Sequence, residues 1–224
     1  MKKYITKEEF QIKRTRPEFI EWVDEKFEEI GKTKEGKKAV RFQTGLLSEF
    51  VSEAYALRKL LPYIGDDVST YECIIGNQNY DVLVEKVNSQ SKKLEITQAH
   101  EGEVEHLRML LLEEKGHVSA SGDIIKKGTT KTGLILEDNH VAHNLEDLLN
   151  QNFDLIKEVF DKKIKKNYDS NTSLLIMFKD VDMFDEGDEL EKLKRFVEEE
   201  ICKKNDKFEK VHLVSWSGRT YVKC

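Results

Sequence analysis

The sequence predicts a single α/β domain over residues 1–224, built as a mixed β-sheet flanked by helices. Three observations lead there. Apolar residues recur at helical spacing as far as Leu61, change to a period of two between Tyr71 and Ala99, and return to helical spacing from Val104. The run from 174 to 178, LLIMF, is continuously apolar, as in a strand covered on both faces. The only prolines are Pro17 and Pro62, and no long stretch poor in apolar residues marks an interdomain linker.

Pro17 suits the first turn of a helix, and Phe19, Val23, Phe27 and Ile30 then follow at helical spacing to a stop near Gly31. GKTKEGKK at 31–38 reads as a polar, basic loop, which makes residues 1–40 a helical extension. A second helix is expected over 46–61, closed by Pro62. Residues 71–75, 80–85 and 94–99 are short β-rich runs separated by GNQN and the polar NSQSKK, so they predict a three-stranded meander. Val104, Leu107, Leu110 and Leu111 mark a further helix ending near Gly116. Residues 117–137, around KKGTTK, predict an inserted β-hairpin. From Val141 to Ile164 the apolar positions suit a long helix, broken near 150–152. The strand at 174–178 follows, then a helix carrying Leu190, Leu193, Phe196, Val197 and Ile201, and late strands at 211–216 and 221–222.

Composition narrows the function classes. Lys+Arg 37 against Asp+Glu 43 gives a net charge of −6, which excludes a surface that coats nucleic acid as a uniform polycation. An enzyme that gathers cations around a local acidic site is not excluded. No segment approaches the roughly 18 apolar residues of a membrane span, and the first residues lack the apolar run of a secretory signal, so no membrane partner and a cytoplasmic location are expected. Three cysteines without a CxxC pair argue against a disulfide framework and against a cysteine zinc site.

The chemistry-bearing residues are acids in unusual places. Leu46, Phe50, Leu57 and Leu60 flank Glu53 at helical spacing, which puts a carboxylate on the apolar stripe. Burying it ionised is costly without a cation. In the meander, Asp81 shares a strand face with Leu83 and Glu85, and Glu95 shares one with Thr97 and Ala99. Paired strands would bring Asp81 and Glu95 together. Converging carboxylates repel, and Mg²⁺ or Mn²⁺ is the natural compensation for an all-oxygen set. The blander alternative is a solvated sheet face, with Glu53 paired to a lysine or arginine.

NYDVLVE, a polar turn and KKLEITQA, preceded by an acidic helix and followed by a helix, resemble the PD-(D/E)xK, restriction-endonuclease-like nuclease superfamily over roughly residues 46–115. The resemblance implies an αβββαβ core, with the strand at 174–178 as its later member. It also implies metal-dependent phosphodiester hydrolysis in DNA or RNA, with Asp81, Glu95 and Glu53 as metal ligands and catalytic acids. The family association suggests a role in phage defence or a mobile element. Asn79 and Tyr80 stand where the motif's proline would, and Thr97 stands where its lysine would. Thr97 can orient a water but carries no positive charge. Either another lysine moves in, with Lys93 on the Glu95 face as the nearest candidate, or the chain is a noncatalytic nucleic-acid-binding or protein-interaction module.

Lys126, Lys127 and Lys131, together with Lys93, are candidate phosphate contacts, the first three on the basic turn of the inserted hairpin. The cluster Lys162, Lys163, Lys165 and Lys166 is equally explained by the preference for cations at a helix C-terminus. His140 and His143 lack a third ligand at zinc spacing, and DVDMFDEGDE at 180–189 fails the EF-hand pattern. No phosphate-cradling glycine loop is present, and Ser217 in WSGR lies outside a GxSxG frame. A homodimer is compatible with the sequence.

Overall fold

The computed structural model describes residues 4–64, 68–119, 123–129, 133–139, 144–180 and 187–224. The chain divides into two compact units, Met1–Ala99 with Phe153–Cys224, and His100–Asn152. The larger unit begins with α1 (Lys7–Phe10), β1 (Arg14–Thr15) and α2 (Arg16–Gly31). The Thr15 amide donates to the Glu18 carboxylate at 2.8 Å, Pro17 sits in the first turn, and Phe19, Trp22, Val23 and Ile30 are buried.

The basic stretch expected as a loop at 31–38 is instead largely helical, as α3 (Lys34–Arg41). Thr33 Oγ1 accepts from the Gly36 amide at 2.9 Å, and Ala39 and Val40 pack against the core. Gly36 is required there, because a Cβ would lie 2.0 Å from the Ile30 carbonyl oxygen. Next, α4 (Leu47–Glu49) runs through a π-turn (Phe50–Ala54) into α5 (Tyr55–Ile64). Pro62 lies inside α5 rather than closing it; it takes the i→i−4 donor from the Arg58 carbonyl, and the helix ends two residues later at Ile64.

Three antiparallel strands follow: β2 (Ser69–Cys73), β3 (Val82–Lys86) and β4 (Lys92–Ala99). The predicted meander is present, with Asp81 just ahead of β3 and still paired, its amide donating to the Leu94 carbonyl at 2.9 Å.

The smaller unit contains α6 (Gly102–Lys115), ended by Gly116 at φ 77, and the antiparallel pair β5 (Asp123–Thr129) and β6 (Gly133–Asn139). Leu107, Leu111 and Leu136 form its core. The inserted strand pair is thus present and reaches Asn139. Lys131, His140 and His143 lie outside the described residues.

The chain continues through α7 (Leu145–Lys163), which is unbroken at 150–152, where the Asn152 side chain donates back to the Leu148 carbonyl at 3.1 Å. Then come β7 (Thr172–Phe178), α8 (Asp188–Phe196) with a π-turn (Val197–Ile201), a 3₁₀ turn (Cys202–Lys204), β8 (Val211–Ser215) and β9 (Tyr221–Lys223). Most of the acidic loop at 180–189 lies outside the described residues; Asp180 itself accepts from the Ser217 amide at 3.0 Å, so Ser217 belongs to a turn.

The main sheet has the order β1-β2-β3-β4-β7-β8-β9, with β4–β7 and β7–β8 parallel and the other pairs antiparallel. Every residue of β7 is buried, as its apolar run predicts. Leu94, Ile96, Leu175, Met177 and Val214 share a core with Leu57, Leu60 and Leu61 of α5. By strand alternation Glu95, Leu174 and Ile176 face the other way. No helix among the described residues is long and apolar enough to cross a membrane.

The cysteines correct the sequence expectation: Cys202 and Cys224 form a disulfide, with Cα atoms 5.5 Å apart, while Cys73 is free and buried. Counting could not reveal the pair, because it arises where β9 returns along β8 and the Cys224 amide meets the Val211 carbonyl. Closing this loop stabilises by about 3 kcal/mol. Reductant is therefore expected to lower the Tm by roughly 5–10 °C, and Cys202→Ser to reproduce the shift without reductant. Identical melting of both proteins with and without dithiothreitol would show that the bond does not form in solution.

Candidate active site

Asp81 and Glu95 are brought together by the β3–β4 pairing. The Asp81 Oδ2 accepts from the Ile96 amide at 2.7 Å, which fixes one carboxylate against the neighbouring strand. Burial, and then the Glu95 charge, push the Asp81 carboxyl up to about 6 despite that hydrogen bond. Glu95 is 6% exposed and sits on the sheet face opposite α5.

Glu53 comes from the π-turn at the head of α5. Burial is the largest cause of its carboxyl being pushed up to about 9, followed by the charges of Asp81, Glu49 and Glu95. One carboxylate oxygen each of Glu49 and Glu53 is buried without a hydrogen-bond partner. The π-turn is tied to β4 by Gln98, whose side-chain amide donates to the Val51 carbonyl at 3.3 Å. Gln98 therefore positions the element that carries Glu53.

The positive charge at the site comes from a residue that the strand motif does not contain. Lys163, at the C-terminus of α7, places its Nζ 2.5 Å from Glu95 Oε1, with side-chain exposures of 18% and 7%. The Tyr168 hydroxyl donates to the same oxygen at 3.3 Å, and burial followed by the Glu95 charge keeps that phenol strongly protonated. Lys163 and Lys166 also pull the Asp81 carboxyl downward, against the larger effect of burial.

Lys93 shares the Glu95 strand face but does not reach Glu95: its ammonium pairs with Asp169 and lies 4.8 Å from the centre of the Tyr80 ring. Thr97 lies on the Glu95 face and is half-buried. Lys126 and Lys127, on β5 of the smaller unit, are exposed and pair with Glu103 at 3.2 Å and Glu137 at 2.6 Å. Sequence reasoning missed Lys163, having assigned the KKIKK run to helix-end electrostatics. The usable signal was the position of that run, just ahead of the strand that pairs with β4.

Among the described residues no three His, Cys, Asp or Glu side chains are gathered as a ready metal cage. The donor set nevertheless fits a hard divalent ion by charge and atom type. Asp81 and Glu53 are both pushed toward their neutral forms, and the unpartnered Glu53 oxygen lacks the proton donor or cation that a buried carboxylate needs. Comparison of the chain with protein-family models, curated proteins and solved structures gives no match, so the chemistry rests on its own residues.

Proposed function

We propose that the chain is a divergent metal-dependent nuclease of the PD-(D/E)xK, restriction-endonuclease-like kind, hydrolysing phosphodiester bonds in DNA or RNA. The observation that carries this reading is Lys163 on Glu95: the cation absent from the Thr97 position arrives on a different element, at the second acid of the motif. The order helix, antiparallel β2–β3–β4, helix and parallel β7 supports it, because it is the order the sequence resemblance implies.

In this reading Asp81, Glu95 and Glu53 would hold Mg²⁺ or Mn²⁺, which supplies an acidified water and charge neutralisation at the phosphate. Lys163 contributes a fixed positive charge beside the developing negative charge. Tyr168 holds the Glu95 carboxylate in place, and Thr97 offers a hydroxyl to orient water.

A noncatalytic binding module is the second reading. It is favoured by the same ion pair, since Lys163 already neutralises Glu95 without a metal. Cutting of labelled single- and double-stranded DNA and RNA separates the two. Millimolar Mg²⁺ or Mn²⁺ is expected to support cleavage, and Asp81→Ala to reduce it to the level seen in excess EDTA. Absence of cutting on every substrate, with no rise in Tm on adding either ion, would favour the module. Cutting that survives both EDTA and Asp81→Ala would remove the basis of the nuclease reading.

A further inference from the structure

The helical form of the basic stretch orders its cations into one ridge. On α3, at about 100° per residue, Lys34, Lys37, Lys38 and Arg41 fall within about 100° of the helix circumference, at spacings i, i+3, i+4 and i+7. No carboxylate lies inside that arc; Glu35 sits at its margin, about 60° beyond Lys38. The opposite side is fixed, because Gly36 is buried and Ala39 and Val40 pack on the core. All four cations are exposed.

Neither helix electrostatics nor local pairing accounts for this arrangement. A helix favours cations at its C-terminal end, which covers Lys38 and Arg41 but makes Lys34, in the first turn, unfavourable. Like charges at i, i+3 and i+4 also repel one another. Lys34, Lys37 and Arg41 form no ion pair with a described residue. Glu28 and Glu29, the acids that precede the helix, pair with Lys32 at 3.2 Å and with Lys26 at 3.0 Å. The Lys38 ammonium lies 5.9 Å from the centre of the Phe42 ring.

We infer that the outer face of α3 binds the phosphodiester backbone of a nucleic acid, with Lys34, Lys37 and Arg41 as its phosphate contacts. From Lys34 to Arg41 the helix rises about 10 Å, so the cations form a line that suits an extended polyanion rather than a compact ion. Contacts of this kind position a strand without reading its bases. An anionic membrane fits less well, because a helix lying in a lipid surface needs a free apolar face, and that of α3 is occupied by the core. The net charge of −6 is no obstacle, since the positive footprint is local. The inference stands apart from the nuclease reading, because it concerns binding without metal.

Fluorescence anisotropy with labelled single strands and duplexes of DNA and RNA tests it, using the full chain in EDTA and salt varied from about 50 to 200 mM. The wild type is expected to bind with an affinity that falls steeply as salt rises. Lys34→Gln/Lys37→Gln/Arg41→Gln should keep its Tm, because the three side chains are exposed and Gln suits a helix. It should weaken binding at least tenfold and flatten the slope of log affinity against log salt on duplex by roughly two to three. Lys192→Gln/Lys203→Gln/Lys207→Gln makes the same change in net charge at exposed lysines elsewhere and should bind as the wild type does. Whichever probe binds most tightly, with that affinity lost in the α3 variant, identifies the strand form that the ridge accepts. Absence of binding to every probe at about 50 mM salt, equal losses in the two triple variants, or wild-type binding by the α3 variant would overturn the assignment. Capture by phosphatidylserine vesicles without affinity for nucleic acid would overturn it in favour of a lipid surface.

Discussion

Glu53→Gln is expected to flatten the pH dependence of stability more than any other single substitution in this chain. The Glu53 carboxyl ionises near its ordinary value in the unfolded chain but only at about 9 in the folded one. The folded state therefore binds the extra proton across that window. Stability from this group is fully present below about pH 4.5 and is lost as the pH rises toward 9. Asp81 acts in the same direction over a lower window, between its ordinary value and about 6.

Without metal, the wild type should lose stability on the order of a few kcal/mol between pH 5 and pH 9. Glu53→Gln should keep only the part below pH 6 that belongs to Asp81. Mg²⁺ should flatten the wild-type curve as well, because a bound cation favours the ionised carboxylates and binds better as they deprotonate. Urea melts at five or six pH values would show it. Parallel curves for wild type and Glu53→Gln would mean that Glu53 is not buried beside Asp81.

The placement of Glu53 was legible because a carboxylate on an apolar helical stripe breaks the pattern around it. Asp81 and Glu95 were legible because a period of two fixes which side chains share a strand face, and a short turn fixes their pairing. Lys163 was not, because it reaches Glu95 from 68 positions along the chain, through a contact set by how α7 docks. Lys93 had the right strand parity and the wrong partner: Asp169 was nearer and more exposed to the ammonium. The same limit explains the disulfide, which depends on β9 returning to the sheet. The α3 helix was hidden for a different reason. Its sequence is polar nearly throughout, and one threonine cap with two small apolar contacts suffices to form it.

Lys163→Met should separate the two readings of the site, because it removes the same ammonium from stability and from chemistry. Glu95 would be left buried without its cation, at a cost of about 3–5 kcal/mol. If Glu95 also ligates a divalent ion, Mg²⁺ takes over part of the lost charge, and the destabilisation should be smaller in Mg²⁺ than in EDTA. Cleavage should fall about 10²- to 10³-fold, the loss seen when one preorganised electrostatic contact to a transition state is deleted. Lys163→Arg keeps the charge but replaces a compact ammonium by a bulkier planar guanidinium, and should retain the fold with reduced cutting. The double variant Lys163→Met/Glu95→Gln removes both charges, so it should recover most of the stability and none of the activity. A purely structural ion pair predicts otherwise: equal destabilisation of Lys163→Met with and without metal, and cutting by the refolded double variant at the wild-type level. That pair of results would assign Lys163 to the fold alone and leave Asp81 and Glu53 without a cationic partner in catalysis.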